Sequence, residues 1–265
     1  MSIRTIEIWQ YPVKGIAGRR LAETVLRPGV GVPGDRRFAI ARAGGGLGPA
    51  RLLNMTRHAR LATLSADFDT GSQVLVLFRA GRPVARGDVT TPAGRATIEQ
   101  FLAAYLEKEL QGPARLMDAA DAGATAVVAT GTDEAAPVPG TRHQFSDPAH
   151  TTVSIINLAS VRDLERATGR PIDPRRFRGN LYIEGVPAWA ELDWVGETVT
   201  IGEARLKVVE RTERCAATNV NPDTAARDMN LPLALKRGFG HMDMGVYATV
   251  VDGGRLVADA GPAAR

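Results

Sequence analysis

The sequence is poor in the residues on which several common chemistries depend. Among 265 residues there is one cysteine, Cys215. An internal disulfide is therefore excluded, and so is a four-thiolate zinc or iron–sulfur site built within the chain. The four histidines, His58, His143, His150 and His241, show no i, i+3 or i+4 pairing for a metal. No Gly-x-Ser-x-Gly elbow is present, and no Gly-x-Gly-x-x-Gly opens a helix, which argues against direct use of NAD(P)H. The glycine-rich ARAGGGLGPA (41–50) lacks a Lys-Ser/Thr ending and reads as a hairpin tip rather than a phosphate loop. No stretch approaches the roughly 18 apolar residues of a membrane span, and the opening MSIRTIEIWQYP carries no signal-peptide pattern. Lys+Arg (33) barely exceeds Asp+Glu (29) with the signs interspersed, so the basic block of a nucleic-acid binder is missing. These absences describe a soluble, cytoplasmic protein whose length suits one large or two small domains.

What is present reads mostly as strands. TIEIW, ETVLR, RRFAIAR, ARLATLSA and QVLVLF alternate or cluster apolar residues between Gly and Pro punctuation. A helix is predicted over 92–110, with Thr91 as N-cap, Pro92 at its first position and Ile98, Phe101, Leu102, Tyr105, Leu106 and Leu110 on one face. Residues 119–150, rich in Ala, Gly, Thr and Pro, read as a linker or long loop. TTVSIIN then predicts a strand and LASVRDLERATG a helix stopped by Gly169. NLYIEG, ETVTIG, ARLKVVER, GVYATVV and RLVAD predict short strands. The expected class is mostly β, barrel-like or α+β, with two or three helices.

Two segments draw attention for chemistry. If 176–184 is extended, Arg176, Arg178 and Asn180 share one face and Phe177, Leu181 and Ile183 the other. Guanidinium and amide groups on one face suit a planar or anionic ligand, although the spacing alone reads first as a solvated strand face. Cys215 follows the mixed-charge run Glu210, Arg211, Glu213, Arg214 and precedes the turn-forming Asn221-Pro222-Asp223. A lone cysteine is most often a small buried hydrophobe. Here Arg214 is placed to favour a thiolate, and the turn residues put the thiol near a strand end. His241 lies two residues from Asp243 in GHMDMG, a pair that reads as surface decoration.

Five segments, in order, resemble one family. WQYPVKGIAG and PGDRRFAI resemble the opening motifs of proteins with an N-terminal MOSC β-barrel domain, and RFRGNLYIEG, ERCAATNVNPDT and MGVYATVV resemble segments of the MOSC domain itself. The family takes in the C-terminal domain of molybdenum cofactor sulfurase, YcbX-like proteins and the mitochondrial amidoxime-reducing component. The resemblance implies a MOSC N-terminal β-barrel-like domain over 1–118 and a MOSC β-barrel domain over 119–265. It implies a molybdenum cofactor (Mo-molybdopterin) with Cys215 as catalytic residue and metal ligand. By motif match, Lys14 and Arg36 fall at the pterin phosphate, Arg178 and Asn180 at the pterin, and Glu213 and Arg214 along the same pocket. The sequence departs from the family at Gly15, where relatives often have Ser, and at Asn221 and Ala225, where they usually have Asp and Gly. Ala258-Asp259 replaces a typical Gly-Asp.

The expected function is a molybdenum-dependent reductase of N-hydroxylated or N-oxide-type small molecules. Its electrons would come from a separate ferredoxin, flavin reductase or cytochrome b5-like protein, because one cysteine cannot hold a fused iron–sulfur domain. A different reading makes the protein a sulfur or molybdenum-cofactor carrier, using a Cys215 persulfide or thiolate.

Overall fold

The computed structural model describes residues 3–42, 52–110, 112–120, 145 and 151–259. Of the hairpin tip expected at 41–50, residues 43–50 fall outside the described residues, as does most of the 119–150 linker. Along the chain the elements are β1 (Arg4–Gln10), β2 (Arg19–Leu21), β3 (Glu23–Leu26), β4 (Phe38–Arg42), β5 (Leu64–Asp69), β6 (Val74–Arg79), β7 (Arg82–Asp88), α1 (Pro92–Tyr105), β8 (Ala114–Asp118), β9 (Val153–Asn157), α2 (Leu158–Thr168), β10 (Leu181–Glu184), β11 (Thr198–Ile201), β12 (Ala204–Glu213), α3 (Leu231–Phe239), β13 (Asp243–Asp252) and β14 (Gly254–Val257). The expected mostly-β, α+β class holds. Among the described residues the strands form a seven-stranded sheet, a three-stranded one and two pairs, rather than closed barrels.

The chain divides into two compact units. One gathers Met1–Gln10, Arg20–Pro33 and Thr152–Arg265. It contains the large sheet, in the order β11-β12-β13-β9-β10-β1-β2. β9 and β10 are parallel, Leu181 opposite Ile155, whereas β12–β13 and β13–β9 are antiparallel. A parallel pair needs a crossover, and α2 supplies it. Asn157 begins that helix by accepting from the Ala159 amide (3.0 Å), and Gly169 at φ 64° ends it. Strand alternation sends Ile8, Val153, Ile155, Leu181, Ile183, Leu206, Val208 and Val246 to one core, and Ile156, Tyr182 and Met244 to another. The second core is covered by Val161 and Leu164 of α2 and Leu231 and Leu235 of α3. α3 is a helix that the periodicity reading did not name. Its signals were local: Asn230 caps it through the Leu233 amide, and Gly240 at φ 81° closes it.

The other unit gathers Tyr11–Arg19 and Gly34–Thr151. β5, β6 and β7 form an antiparallel meander, and β4 pairs with β8 from Phe38–Asp118 to Arg42–Ala114. α1 starts where predicted, with Thr91 Oγ1 accepting from the Gly94 amide at 3.0 Å, but ends at Tyr105 rather than 110. It lies directly on β7: a Cβ on Gly87 would sit 2.1 Å from the Gly94 carbonyl oxygen. No helix among the described residues is long and apolar enough to cross a membrane.

Candidate functional site

The site in the first unit grows from the end of β12. β12 and β13 run antiparallel to their last pair, Glu213 and Asp243. Beyond it the Arg214 amide still donates to the Met242 carbonyl (2.9 Å). The chain is extended through Cys215 (φ −101°, ψ 176°), so exposure alternates: Glu213 exposed, Arg214 8% exposed, Cys215 exposed. The thiol thus stands at the surface at a strand end and is not a core residue.

Cys215 caps a short 3-10 turn, Ala216–Asn219. Its carbonyl accepts from the Thr218 amide (3.1 Å) and the Thr218 hydroxyl (3.0 Å). Arg176 bolts this turn from below. Its guanidinium donates to the Asn219 carbonyl (3.2 Å), with Thr218 O at 3.5 Å, and forks onto Asp228 at 2.7 and 3.0 Å. Arg175 reaches Asp223 of the following turn at 2.9 Å. Asn221 Oδ1 accepts from the Asp223 and Thr224 amides, while its Nδ2 donates to Asp228 (2.9 Å). That last bond explains why Asn suits position 221: an aspartate there would face Asp228 carboxylate to carboxylate. Ala225 takes φ 60°, the left-handed region that favours glycine.

The segment 176–184 is not one extended strand. Pro174–Phe177 is a 3-10 turn and Arg178 closes it at φ 53°; only Leu181–Glu184 is β. Arg176, buried and spent on the cysteine loop, therefore does not share a face with Arg178 and Asn180. The period-two reading failed because Asp173 caps the turn through the Arg175 amide (2.8 Å), with Pro174 at its first position. Arg178 is half-buried. Asn180 is fully buried, its Oδ1 accepting from the Ser154 amide (3.0 Å) and its Nδ2 donating to the Trp9 carbonyl (3.1 Å). Arg214 links this segment to the thiol strand, its guanidinium donating to the Phe177 (3.0 Å) and Met244 carbonyls.

In the other unit the two opening motifs are laced together. The Tyr11 amide donates to Asp35 (2.7 Å), Arg36 N to Tyr11 O (2.6 Å), Phe38 N to Pro12 O (2.9 Å) and Lys14 N to Phe38 O (2.8 Å). This puts Lys14 and Arg36, both half-buried, on adjoining backbone. The Arg36 guanidinium pairs with Asp35 and lies 5.0 Å from the Tyr11 ring centroid. Arg36 is also left-handed, at φ 46°. Arg36 and Arg178 thus each hold a backbone conformation that costs a side-chain-bearing residue on the order of 1–2 kcal/mol, a strain that clusters at functional positions.

The His241–Asp243 pair, read in the sequence as surface decoration, gains neighbours in the fold, and two buried hydroxyls went unread. Asp243 begins the strand that pairs with the end of β12, and the Arg214 amide on the Met242 carbonyl carries that approach on, bringing the segment around His241 to the end of β12. Only β12–β13 pairing, not sequence spacing, makes that neighbourhood. Ser154 and Thr212 are buried with hydroxyls that find no hydrogen-bond partner among the described residues. Among the described residues no three of His, Cys, Asp or Glu gather to hold a metal. Cys215 is an exposed thiol that could serve a metal as a single protein ligand.

The model of the MOSC N-terminal beta barrel domain matches residues 2–126, and that of the MOSC domain matches 140–261. Mitochondrial amidoxime-reducing component 1 of Mus musculus is 34% identical over 85 residues, 32% of this chain and 24% of that protein. Mitochondrial amidoxime reducing component 2 of Bos taurus is 29% identical over 97 residues, 37% of this chain and 28% of that one. The matched segments thus span about a quarter of those relatives' length. The crystal structure of the YUAD protein from Bacillus subtilis covers 97% of this chain and 92% of its own, at 11% identity and a TM-score of 0.42. Two domain models that between them take in nearly the whole described chain, in the order its motifs predict, decide the assignment: the chain belongs to the MOSC family, with a MOSC N-terminal β-barrel domain followed by a MOSC domain.

Proposed function

We propose that this protein is a molybdenum-cofactor-dependent reductase of small N-hydroxylated or N-oxide-type compounds, with Cys215 as the protein ligand to the metal. The observation that carries the reading is the exposed thiol of Cys215, held on a turn that Arg176 and Thr218 brace. A soft thiolate suits a metal that already carries sulfur ligands. When bound, the cofactor supplies two-electron oxygen-atom-transfer chemistry; the protein positions it and shapes what reaches it.

The chain's own residues would divide that work. Arg178, at its left-handed corner, offers a guanidinium to the pterin. Asn180 holds the corner in place by bridging the Ser154 and Trp9 backbones. Lys14 and Arg36 enter through their motifs as contacts for the cofactor phosphate, for which ammonium and forked guanidinium donors are suited. Glu213 and Arg214 flank the thiol, Arg214 fixing its strand to Phe177 and Met244. Electrons would reach the site from a separate ferredoxin, flavin reductase or cytochrome b5-like protein. The relatives' names, which specify amidoxime reduction, support the substrate class.

The same exposed thiol also suits a carrier that holds a persulfide. Metal and pterin analysis of protein made in a molybdenum-replete host separates the two. About one molybdenum and one pterin per chain, lost in Cys215→Ala without loss of fold, supports the reductase. Metal-free protein with cyanide-labile sulfur on Cys215 supports the carrier and overturns the reductase.

A further inference from the structure

At the turn that enters β13 lies an aromatic cluster that neither the motifs nor the comparisons assign. Trp189, Phe239 and His241 are all half-buried. The Trp189 ring packs 4.4 Å from Phe239 and 5.5 Å from His241, the latter edge to face. Trp189 sits at φ 67°, an outlier for so bulky a residue. Three bonds over-determine it: its amide donates to Ser160 Oγ (2.8 Å), its indole N–H to Asp163 (2.6 Å), and its carbonyl accepts from the Leu192 amide (3.0 Å). Ser160 is itself held by the buried Glu191 (2.7 Å). Strain held this firmly points from the outlier to a function.

His241 is oriented as firmly. Its Nδ1 accepts from the Asp243 amide (3.1 Å), so the neutral ring carries its proton on Nε2. No described residue accepts from that Nε2, and the side chain is 27% exposed. Continuing the β12–β13 register one step past the Arg214 N–Met242 O bond sets His241 across from Cys215.

We propose that Trp189, Phe239 and His241 form the substrate-recognition wall of the site, taking a flat N-hydroxylated group against the rings and donating from His241 Nε2 to its oxygen. The wall would favour aryl over alkyl substrates, because a conjugated aryl group stacks where an alkyl chain cannot. This inference rests on the reductase reading above.

The test compares benzamidoxime with acetamidoxime on purified wild type, His241→Ala, His241→Gln and Phe239→Leu. Binding is followed by tryptophan emission, turnover by KM and kcat, and molybdenum content by mass spectrometry. Phe239→Leu should raise KM and Kd for the aryl compound by about 3- to 10-fold and leave the alkyl one alone. His241→Ala should lower kcat/KM for both by about 10-fold or more, and His241→Gln, which keeps a donor at similar reach, should recover most of it. Each variant should hold the wild-type molybdenum content. Unchanged KM and Kd in His241→Ala and Phe239→Leu, at full molybdenum content, overturns the proposal. So does an aryl ligand that leaves the emission of wild type untouched. Wild type that carries no molybdenum but binds the aryl ligand in preference, and loses that preference in Phe239→Leu, supports the wall while removing the reductase reading.

Discussion

Replacing Arg176 by Met should loosen the cysteine loop while keeping the bulk of the side chain. Arg176 is 4% exposed, and its guanidinium is the fastener between the Pro174–Phe177 turn and the Ala216–Asn219 turn. The loss has three parts: a forked ion pair with Asp228, a charged bond to the Asn219 carbonyl, and a weaker one to Thr218 at 3.5 Å. Breaking a fully buried pair costs about 3–5 kcal/mol. The Asp228 side chain, however, is 31% exposed and keeps its bond from Asn221, so water recovers part of the loss. About 2–3 kcal/mol is expected, which for a chain of this size is a fall in Tm of about 4–12 °C. Because the same turn carries Cys215, molybdenum occupancy at limiting cofactor should fall with it. Arg176→Lys should be intermediate, since an ammonium is a point charge and cannot fork onto Asp228 while holding Asn219. Thermal unfolding and molybdenum per chain are the two measurements. An Arg176→Met protein that melts with wild type and binds as much metal would refute the bracing argument.

Other outcomes follow from neighbouring groups. Burial pushes the Asp228 carboxyl up, but the bonds from Asn221 and Arg176 and the Arg176 charge outweigh it and hold it below the ordinary carboxylate range. Its contribution is therefore complete above the unfolded value and lost as pH falls through the folded one, so the stability gap between wild type and Asp228→Asn should close below about pH 4. Glu191 runs the other way: burial raises it despite bonds from Ser160 and Asn157. The folded state then holds that proton more tightly, so wild-type stability should fall as pH rises from about 4.3 through the raised value, a fall absent in Glu191→Gln when urea midpoints are compared. Ala225→Gly should raise stability by about 0.5–1 kcal/mol, relief of the left-handed strain exceeding the entropy a glycine adds to the unfolded chain; a lower denaturation midpoint would contradict it. Lys14→Ala and Arg178→Ala should each weaken cofactor retention by about 2–4 kcal/mol, or about 30- to 1,000-fold, and normal pterin content in both at limiting cofactor would remove them from the site.

Some of this was legible one residue type at a time. α1 and α2 announced themselves through Thr91-Pro92 and Gly169, because caps and stops are chemistry within a single turn. α3 carried equal signals in Asn230 and Gly240, but its short apolar run hid among strands. The Arg176–Asn180 reading failed for a local reason as well: Asp173-Pro174 starts a turn, and a turn destroys the alternation on which the shared face depended. The family resemblance placed Cys215, Arg178 and Lys14 as candidates but said nothing of what holds them.

By itself the sequence determined the mostly-β class, the single thiol that excludes a disulfide, the ends of two helices and the order of the MOSC motifs. Each depends on composition or on residues within one turn of one another. Only the tertiary structure decided that Arg176 serves the cysteine loop rather than a ligand face, that Asn180 spans the backbones of β1 and β9, and that Met242 meets Arg214 at the end of β12. Those relations join residues 43, 171 and 28 positions apart. They arise when strand pairing and burial bring distant segments into register and every buried donor must find an acceptor, a condition that one-dimensional spacing does not contain.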